Sequence, residues 1–515
     1  MSVNPWQKWW AVAALRELGA KRMQGDGDSS HNSHIGKNGS RPATIPADQR
    51  QEPSGEIIEL ELNDLAYGGD AVGRYDGRAV FVPGALPGEL VRARLMRERS
   101  NYARATLIEV LRPSPDRVPL RYSDLSESGG FQWQHLSYPA QLEWKSRIVR
   151  QLLIRIGKFP DPDTRPTLGM PTSADPWRYR TVAQFAIAPD GAIGFRRMES
   201  HDVLDMPDCP IVHPQLDTLY QATREWMRER WGARAFAYTE RFTLRVAVGA
   251  PGAQASGPLT LVSGHTYRDG PRGLLTIEAR PGASFAADGS ADAVAGMLLK
   301  EIPGLAGVVI LGLPGGRGRV IAGQDFVHER VLHRIFRISA GSFFQVNPTQ
   351  TPILVEQALT ALQPRPTDIA LDGYSGAGLF SLFLAEQVAT VRAIESQPSA
   401  VADARASATL NGVTNVVSQE GLLERTLGTM RRQREHIDLA LIDPPRSGCL
   451  PRALIELTAL EPRTIVYVSC DPSTLARDLR IICDNGYTLT SVQPVDMFPF
   501  TSHIECVATC QRIRP

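Results

Sequence analysis

Three features that would set this chain apart from ordinary globular proteins are absent. With only six cysteines in 515 residues, it lacks the framework of a disulfide-rich secreted domain, and we expect it in the reducing cytoplasm. Its longest apolar stretch, around residues 305–313, is too short to cross a bilayer, so we expect no membrane segment. The formal net charge of +1 gives no overall attraction to polyanions. Any affinity for them must come from local patches.

The length of the chain exceeds one ordinary hydrophobic core, so we expect two to four domains. Residues 1–52 include a long polar run that can bury little, which predicts a disordered extension. Residues 53–112 alternate as strands do and predict a small β-barrel. Residues 113–345 indicate a linker and a central α/β subdomain. Residues 346–515 alternate strands and helices, which predicts a Rossmann-like domain.

The barrel segment carries its basic residues on one predicted strand pair. An Asp76-Gly77 turn is expected to join the two preceding strands as a hairpin. Six arginines then lie in or next to residues 91–111: Arg92, Arg94, Arg97, Arg99, Arg104 and Arg112. A small barrel with one basic strand pair is the OB-like pattern that binds nucleic acid. The alternative interpretation is a barrel whose basic face is only solvated.

One cysteine lies between a predicted buried strand, Thr464–Ser469, and a predicted helix. Asp471 suits the N-cap of that helix and Pro472 suits its first position. At this junction the partial positive charge of the helix N-terminus favours the thiolate of Cys470, the form that attacks carbon. The negative charge of Asp471 opposes that effect. The pattern predicts a nucleophile at Cys470.

A loop rich in glycine follows an earlier predicted strand. Residues 367–371 indicate the strand, residues 372–378 the loop, and residues 379–385 a helix. This is the first unit of a Rossmann-like sheet, in which glycines let the backbone approach a ligand closely. Glu395 ends the next strand, where an acid binds both hydroxyls of a ribose. We expect a nucleoside-type cofactor, and the alternative for the loop alone is a tight turn.

Two more acids end predicted strands of the same domain. Asp443 begins an Asp-Pro-Pro-Arg sequence at a strand end, where open α/β sheets bind ligands, although a strand-terminating turn is the alternative. Glu505 lies among apolar neighbours near the start of the last strand. Burial there would raise its pKa towards that of a useful general base. The alternative for Glu505 is a paired structural carboxylate, and His503 alone is typical of a loop histidine.

With these motifs in order, the last third of the chain resembles the RNA (uracil-5-)-methyltransferases, which make 5-methyluridine. Five motifs carry the resemblance: residues 343–347, 372–378, 443–448, 468–470 with Arg477 and Asp478, and 496–505. The resemblance implies an S-adenosyl-L-methionine-dependent domain in which Cys470 adds to uracil C6 and Glu505 removes the C5 proton. It also implies that four residues contact the cofactor or the target site, namely Gln345, Tyr374, Glu395 and Asp443. It implies no catalytic metal.

The barrel segment resembles the TRAM domain, which the ribosomal-RNA branch of this family carries and the transfer-RNA branch generally lacks. The resemblance therefore implies RNA as the partner and 23S ribosomal RNA as the substrate of a monomeric enzyme. Transfer RNA is an alternative substrate, and an RNA-binding protein without catalysis is an alternative class. A cytosine-5 methyltransferase is less consistent, because those relatives have cysteine where this chain has Arg446 after Pro445.

Residues 121–135 depart from the family pattern. Many relatives hold an iron–sulfur cluster with three closely spaced cysteines here and a fourth further on. In this chain Tyr122, Ser128 and Phe131 occupy the three positions, and Cys209 alone matches the fourth. Because tyrosine and phenylalanine supply no thiolate, we expect no iron–sulfur cluster. We expect Tyr122, Phe131 and Trp133 to pack into the volume that the cluster occupies in those relatives.

Overall fold

A computed structural model describes residues 55–99, 101–198, 200–248, 260–262, 265–267, 273–281, 290–313 and 319–513. The predicted disorder of residues 1–52 lies outside the described residues. The chain forms two compact units, one ending at Arg117 and the other beginning at Val118. In the described ranges, every helix is too short or too polar to pass through a bilayer.

The first unit contains a closed five-stranded barrel, which confirms the predicted OB-like fold. Its strands are β1 (Ile57–Leu65), β2 (Ala71–Tyr75), β3 (Arg78–Val82), β4 (Leu90–Glu98) and β5 (Tyr102–Arg112), in the order β1-β2-β3-β5-β4. β1 alternates exposed and buried residues, so one face packs inward. Asp76 (φ 48°) and Gly77 (φ 74°) both adopt left-handed conformations, as the predicted two-residue hairpin requires.

The second unit begins with a helix and a mostly antiparallel sheet. The elements are α1 (Tyr138–Arg155), β6 (Val182–Ile187), β7 (Ile193–Arg196), β8 (Val203–Asp205), α2 (Pro214–Trp226), α3 (Ala233–Tyr238), β9 (Thr239–Val246), β10 (Thr260–Val262), β11 (His265–Tyr267), β12 (Gly273–Ala279), α4 (Ala291–Glu301), β13 (Leu305–Leu311), β14 (Arg319–Gly323), β15 (Phe326–Val331) and β16 (Arg334–Ser339). Seven strands form the first sheet, in the order β14-β13-β12-β9-β6-β7-β8. Phe185 and Phe242 lie fully buried in its core.

The rest of the second unit alternates helices with strands of a second sheet. The elements are α5 (Thr351–Leu362), β17 (Ile369–Gly373), α6 (Leu379–Leu384), β18 (Thr390–Glu395), α7 (Pro398–Leu410), β19 (Val416–Glu420), α8 (Leu423–Arg432), β20 (Leu439–Ile442), α9 (Pro451–Thr458), β21 (Thr464–Ser469), α10 (Pro472–Asp484), β22 (Tyr487–Val495) and β23 (Glu505–Arg512). The strand order is β19-β18-β17-β20-β21-β23-β22. β17 to β21 pair in parallel, while β23 is antiparallel to both of its neighbours.

The order of the second sheet fixes where a ligand is expected. The chain runs outward from β17 through β18 to β19, and it then returns to the other side of β17 with β20. Such a reversal leaves a crevice outside the carboxyl ends of the two central strands, where open α/β sheets bind ligands. Every residue of β20 and β21 is buried, as expected for central parallel strands covered by helices.

Candidate active site

The loop after β17 borders this crevice and is shaped to let a ligand approach. Tyr374 (φ 61°), Gly376 (φ 54°) and Gly378 (φ 86°) all adopt left-handed conformations, which cost glycine little and strain a tyrosine. A Cβ placed on Gly376 would meet no atom within 4 Å, so the space above this glycine is open. The loop therefore presents bare backbone to the crevice.

Two acids beside this loop suit a nucleoside-type cofactor. The Glu395 carboxylate at the end of β18 accepts hydrogen bonds from the backbone N–H groups of Gly376 (3.0 Å) and Gln397 (2.7 Å). These contacts fix its position and leave acceptor capacity for ribose hydroxyls. Asp372 is fully buried; its Oδ2 accepts from Ser381, whereas its Oδ1 has no hydrogen-bond partner in the described part of the chain.

Burial raises the pKa of Asp372 to about 7, and the same cause, followed by the charge of Asp372, raises the pKa of Asp443 to about 7. The two acids lie on neighbouring strand ends, since the backbone N–H of Asp443 donates to the carbonyl of Gly373 at 3.1 Å. A ligand with a positive group near this edge would stabilise both carboxylates. S-adenosyl-L-methionine, with its ammonium and sulfonium groups, has that chemistry.

A buried carboxylate that sequence reasoning did not single out as a site residue joins these loops to the nucleophile helix. Asp478 in α10 is fully buried; its Oδ2 accepts from the Tyr467 hydroxyl (2.7 Å) and the Cys449 backbone N–H (2.8 Å). Its Oδ1 accepts from Arg477 at 2.8 Å. Burial first and the neighbouring Cys449 thiol second raise the pKa of the Tyr374 hydroxyl. The adjacent Arg477 and Asp478 of the resemblance were the available signal, but the partners of Asp478 lie in β21 and in the loop after β20.

Cys470 follows the last residue of β21, as predicted, but its ionisation differs from the prediction. Burial raises the pKa of its thiol to about 12, and the charge of Glu505 adds to the rise. Burial outweighs the lowering that was expected from the helix N-terminus. The Asp471 side chain accepts the backbone N–H groups of Ser473 (2.9 Å) and Thr474 (3.0 Å), and its negative charge adds to the rise, as predicted.

The strand register brings the nucleophile and the acid together. β21 and β23 are antiparallel, with Ser469 opposite Cys506. Cys470, just past the end of β21, and Glu505, the first residue of β23, continue this register and therefore lie near each other at the carboxyl end of β21. Glu505 is buried, and its pKa is raised well above its usual value by burial first and by Asp443 second.

Arg446 supplies the positive charge at this end of the sheet. Its guanidinium lowers the pKa of both Cys470 and Glu505, against the larger effect of burial. Its Nη2 lies 3.3 Å from Nδ1 of His503. Burial and then Arg446 lower the pKa of His503 to about 3, so this imidazole is neutral at physiological pH. His503 is thus a poor proton donor here.

Gln345 is buried in the segment that precedes α5, and this segment is tied to the loop before Glu505. The side-chain amide of Asn347 donates to the carbonyl of Met497 at 3.1 Å. Phe343 in the same segment is 69% exposed. The predicted site residues Tyr374, Asp443 and Cys470 directly follow strands of the second sheet, Glu395 ends β18, and Glu505 begins the antiparallel strand β23, so all five lie at one edge of that sheet. Their roles, and that of Gln345, stay predictions.

Aromatic side chains pack against each other around residues 121–135, the segment that departs from the iron–sulfur pattern of the family. The rings of Tyr122 and Phe131 lie 5.3 Å and 6.3 Å from that of Trp177, and Trp177 stacks on Phe500 at 3.8 Å. Cys209 is buried and forms no disulfide. Among the described residues, three or more His, Cys, Asp or Glu side chains nowhere gather as metal ligands would. The absence of an iron–sulfur cluster stays a prediction.

Sequence comparisons agree with this geometry. The family model described as tRNA (uracil-5-)-methyltransferase matches residues 308–513, and the TRAM domain model matches residues 51–108. An uncharacterized RNA methyltransferase of Halalkalibacterium halodurans is 36% identical over 467 residues, which cover 88% of this chain and 97% of the relative. The chain belongs to the RNA (uracil-5-)-methyltransferase family.

Other relatives and one solved structure extend the comparison. An uncharacterized RNA methyltransferase of Listeria monocytogenes is 35% identical over 457 residues, covering 88% of this chain and 97% of the relative. The crystal structure of a Pyrococcus abyssi tRNA (uracil-54, C5)-methyltransferase in complex with S-adenosyl-L-homocysteine aligns with a TM-score of 0.63 at 23% identity. That alignment covers 88% of this chain and all of the other. At this identity the likeness concerns the fold of the family.

Proposed function

We propose that this protein methylates C5 of a uracil in 23S ribosomal RNA, with S-adenosyl-L-methionine as the methyl donor and with Cys470 and Glu505 as the catalytic pair. The observation that supports the proposal is the register of β21 and β23, which pairs Ser469 with Cys506 and so brings residues 470 and 505 near each other at the carboxyl end of β21. Family membership supports the reaction, and the acids near the loop after β17 suit the donor.

The chemistry explains why a thiol and a carboxylate are needed together. Uracil C5 is too weak a nucleophile to take a methyl group directly. The Cys470 thiolate forms a bond to C6, and the displaced electron pair makes C5 an enolate-like carbanion. C5 then takes the methyl group that the cofactor supplies. The Glu505 carboxylate removes the C5 proton, the C5–C6 double bond forms again, and the C6–S bond breaks to release the thiolate.

The surroundings of the pair suit these two roles. Arg446 stabilises the negative forms of both Cys470 and Glu505, because its charge lowers both pKa values. Burial of Glu505 gives its carboxylate a higher proton affinity than an exposed glutamate has, which favours proton removal from carbon. A uracil in structured RNA must leave its stack to reach such a buried pair.

The choice of RNA is supported by the barrel. Its TRAM-type match at residues 51–108 favours ribosomal RNA by the family resemblance. Transfer RNA is the second candidate, because the family model matching residues 308–513 is described for transfer RNA. We propose that the enzyme works as a monomer in the cytoplasm, where its six free cysteines would stay reduced.

Mapping 5-methyluridine across ribosomal and transfer RNA, in cells with and without the gene, tests substrate and activity together. We expect the loss of one or two sites in 23S ribosomal RNA. Loss at a transfer-RNA site instead would establish the second candidate, and an unchanged map would refute the proposed reaction.

A purified-protein assay tests the nucleophile. Cys470→Ala should abolish methyl transfer to unmodified RNA while binding of S-adenosyl-L-homocysteine survives, since the thiol forms the bond to C6. Cys483→Ala, which removes a half-buried thiol in α10, is the matched control and should retain activity. Turnover by Cys470→Ala would exclude the covalent route.

A further inference from the structure

Helix α1 carries three polar side chains on its inward face. Tyr138, Gln141 and Lys145 are spaced by three and four residues, so they line one side of the helix. Gln141 and Lys145 are fully buried and Tyr138 is half-buried. Long polar side chains at such positions are expensive unless each finds a partner. Each has at least one partner in the loop of residues 496–504 between β22 and β23, while Gln141 Nε2 also donates to the carbonyls of Trp133 and Leu136 and the Tyr138 hydroxyl accepts the backbone N–H of Met170.

The contacts run along the first half of this loop. Lys145 Nζ donates to Asp496 Oδ1 at 2.5 Å and to the carbonyl of Phe498 at 3.1 Å. The Tyr138 hydroxyl donates to Asp496 Oδ2 at 2.8 Å. Gln141 Oε1 accepts the backbone N–H of Phe500 at 2.9 Å. One helix face thus binds a carboxylate, a carbonyl and an amide of the loop.

The backbone of the loop is fixed by hydrogen bonds from several other segments. Four successive carbonyls, those of residues 497–500, each accept a hydrogen bond from outside the loop. The donors are the Asn347 side chain (3.1 Å), Lys145 (3.1 Å), the Tyr179 hydroxyl (3.5 Å) and the Trp133 backbone N–H (2.9 Å). Phe500 adopts φ 61°, a conformation that persists in a non-glycine residue only where the surroundings impose it.

The loop leads directly to the proposed base. Val495, the last residue of β22, pairs with Glu505, the first residue of β23, so the loop closes a hairpin at the Glu505 position. Asp496 follows Val495 immediately. A displacement of Asp496 would therefore move the end of the hairpin on which the Glu505 carboxylate lies.

The ion pair is not explained by stability alone. Among the ion pairs seen in the described ranges, Lys145–Asp496 is the one in which both side chains are 0% exposed. Desolvation of two charges commonly offsets their attraction, so apolar residues of similar size would stabilise the fold as well. A buried ion pair does, however, favour one arrangement of its two side chains over others. It can therefore fix the position of a loop that must be placed accurately.

We propose that the inward face of α1, through Lys145, Tyr138 and Gln141, is a positioning element that sets the Glu505 carboxylate for proton removal from C5. The inference rests on the proposed function. It assigns no contact with RNA or cofactor to these side chains. They act on the reaction through the loop of residues 496–504.

The test separates thiol addition from proton removal. An RNA transcript that the wild-type protein methylates is labelled with tritium at uracil C5, so that proton removal releases tritium to water. Lys145→Met should slow tritium release roughly 100-fold, the scale that a 1 Å misplacement costs. A denaturant-stable Cys470–RNA complex should accumulate, because addition to C6 precedes the impaired step. RNA affinity should stay within about twofold, because the proposal gives these inward-facing side chains no contact with RNA.

Tyr138→Phe removes a single hydroxyl and keeps the ring, so it is the milder variant. It should slow tritium release about tenfold, the effect of one hydrogen bond to a charged group. Arg147→Met is the matched control, because Arg147 lies on the exposed side of α1 and pairs there with Glu143. It should behave as the wild type does in both readouts.

The outcomes distinguish the two proposals. If the wild-type protein releases no tritium from ribosomal or transfer RNA, the proposed function fails. If the wild type is active and Tyr138→Phe releases tritium at the wild-type rate, the positioning role is overturned, even where Lys145→Met does not fold. Equal loss of complex formation and tritium release would also overturn it, since that result indicates general loosening of the fold.

Discussion

Charged residues in the barrel and at the carboxyl edge of the second sheet are of the same types, but they have different surroundings. In the barrel, Arg92 donates to Glu59 (3.0 Å) and Glu109 (2.8 Å), and the three side chains are 40%, 57% and 54% exposed. At the sheet edge, Arg477 is 42% exposed, yet its partner Asp478 is 0% exposed. The arginines are equally exposed, and the burial of the acid makes the difference.

The comparison shows where the electrostatics of this protein have large effects. Exposed pairs contribute about 0–1 kcal/mol, because water and salt screen them. Burial disfavours the charged form of an acid and so raises the pKa values of Asp372, Asp443 and Glu505. The exposed pairs of the barrel therefore affect its surface properties, whereas the buried acids of the sheet edge have altered protonation, on which chemistry depends.

The largest effect is expected where a buried acid at the sheet edge is neutralised. Glu505→Gln keeps the size of the side chain and removes the proton acceptor, so turnover should fall by roughly 10²–10⁴, the usual contribution of a general base. The RNA should remain attached to Cys470, because addition to C6 does not need the carboxylate. Methyl transfer and denaturing gels measure the two quantities.

The matched control for this variant is Glu461→Gln. Glu461 pairs with Arg512 at the surface, with 61% of its side chain exposed, so it should have no effect on turnover. If Glu505→Gln retained turnover, the Glu505 carboxylate would not be the proton acceptor. The burial of this acid would then have no effect on catalysis.

A smaller effect is expected from pH. The pKa of Cys470 is raised to about 12, so at neutral pH its thiol is largely protonated, and burial raises the pKa of Glu505 well above its usual value, so this carboxyl keeps its proton to higher pH than an exposed glutamate does. Deprotonation of each activates the pair. Consequently kcat/KM should rise with pH from 6 to 9, by up to about tenfold per unit where one proton is lost.

A variant without the charge of Arg446 is the control for the pH profile. Arg446→Met removes the cation that lowers both pKa values, so the rise should move to higher pH. A profile that is flat across this range, in both proteins, would show that neither group needs to lose a proton in the rate-limiting step.

Much of the second sheet could be predicted because its signals are local. The strand Thr464–Ser469, the Asp471 cap and Pro472 at the start of α10 are confirmed. Other predicted strands differ by one or two residues at their ends, as for β17, observed at Ile369–Gly373. Capping chemistry and apolar runs lie within a few residues of each other, so the sequence displays them directly.

Interactions between segments that are distant along the chain could not be predicted from such local signals. The basic strand pair of the barrel is neutralised in part by acids outside that pair, since Arg104 pairs with Asp70 in the turn before β2 and Arg112 pairs with Glu61 in β1. Asp478 and Lys145 meet partners 29 and 351 residues away. The raised pKa of Cys470 has the same origin, because burial depends on the packed fold. The divisions predicted at residues 52, 112 and 345 stay predictions.

The smallest effect is expected in the barrel, and one substitution made in both regions tests the comparison directly. Arg92→Gln should change the free energy of unfolding by less than about 1 kcal/mol, because its partners remain hydrated. Arg477→Gln should cost about 2 kcal/mol, because it leaves the buried Asp478 carboxylate short of a charged donor. Denaturant unfolding of both variants measures the difference. Equal losses in the free energy of unfolding would show that the exposure of the arginine, and not the burial of its acid, determines how much each pair stabilises the fold.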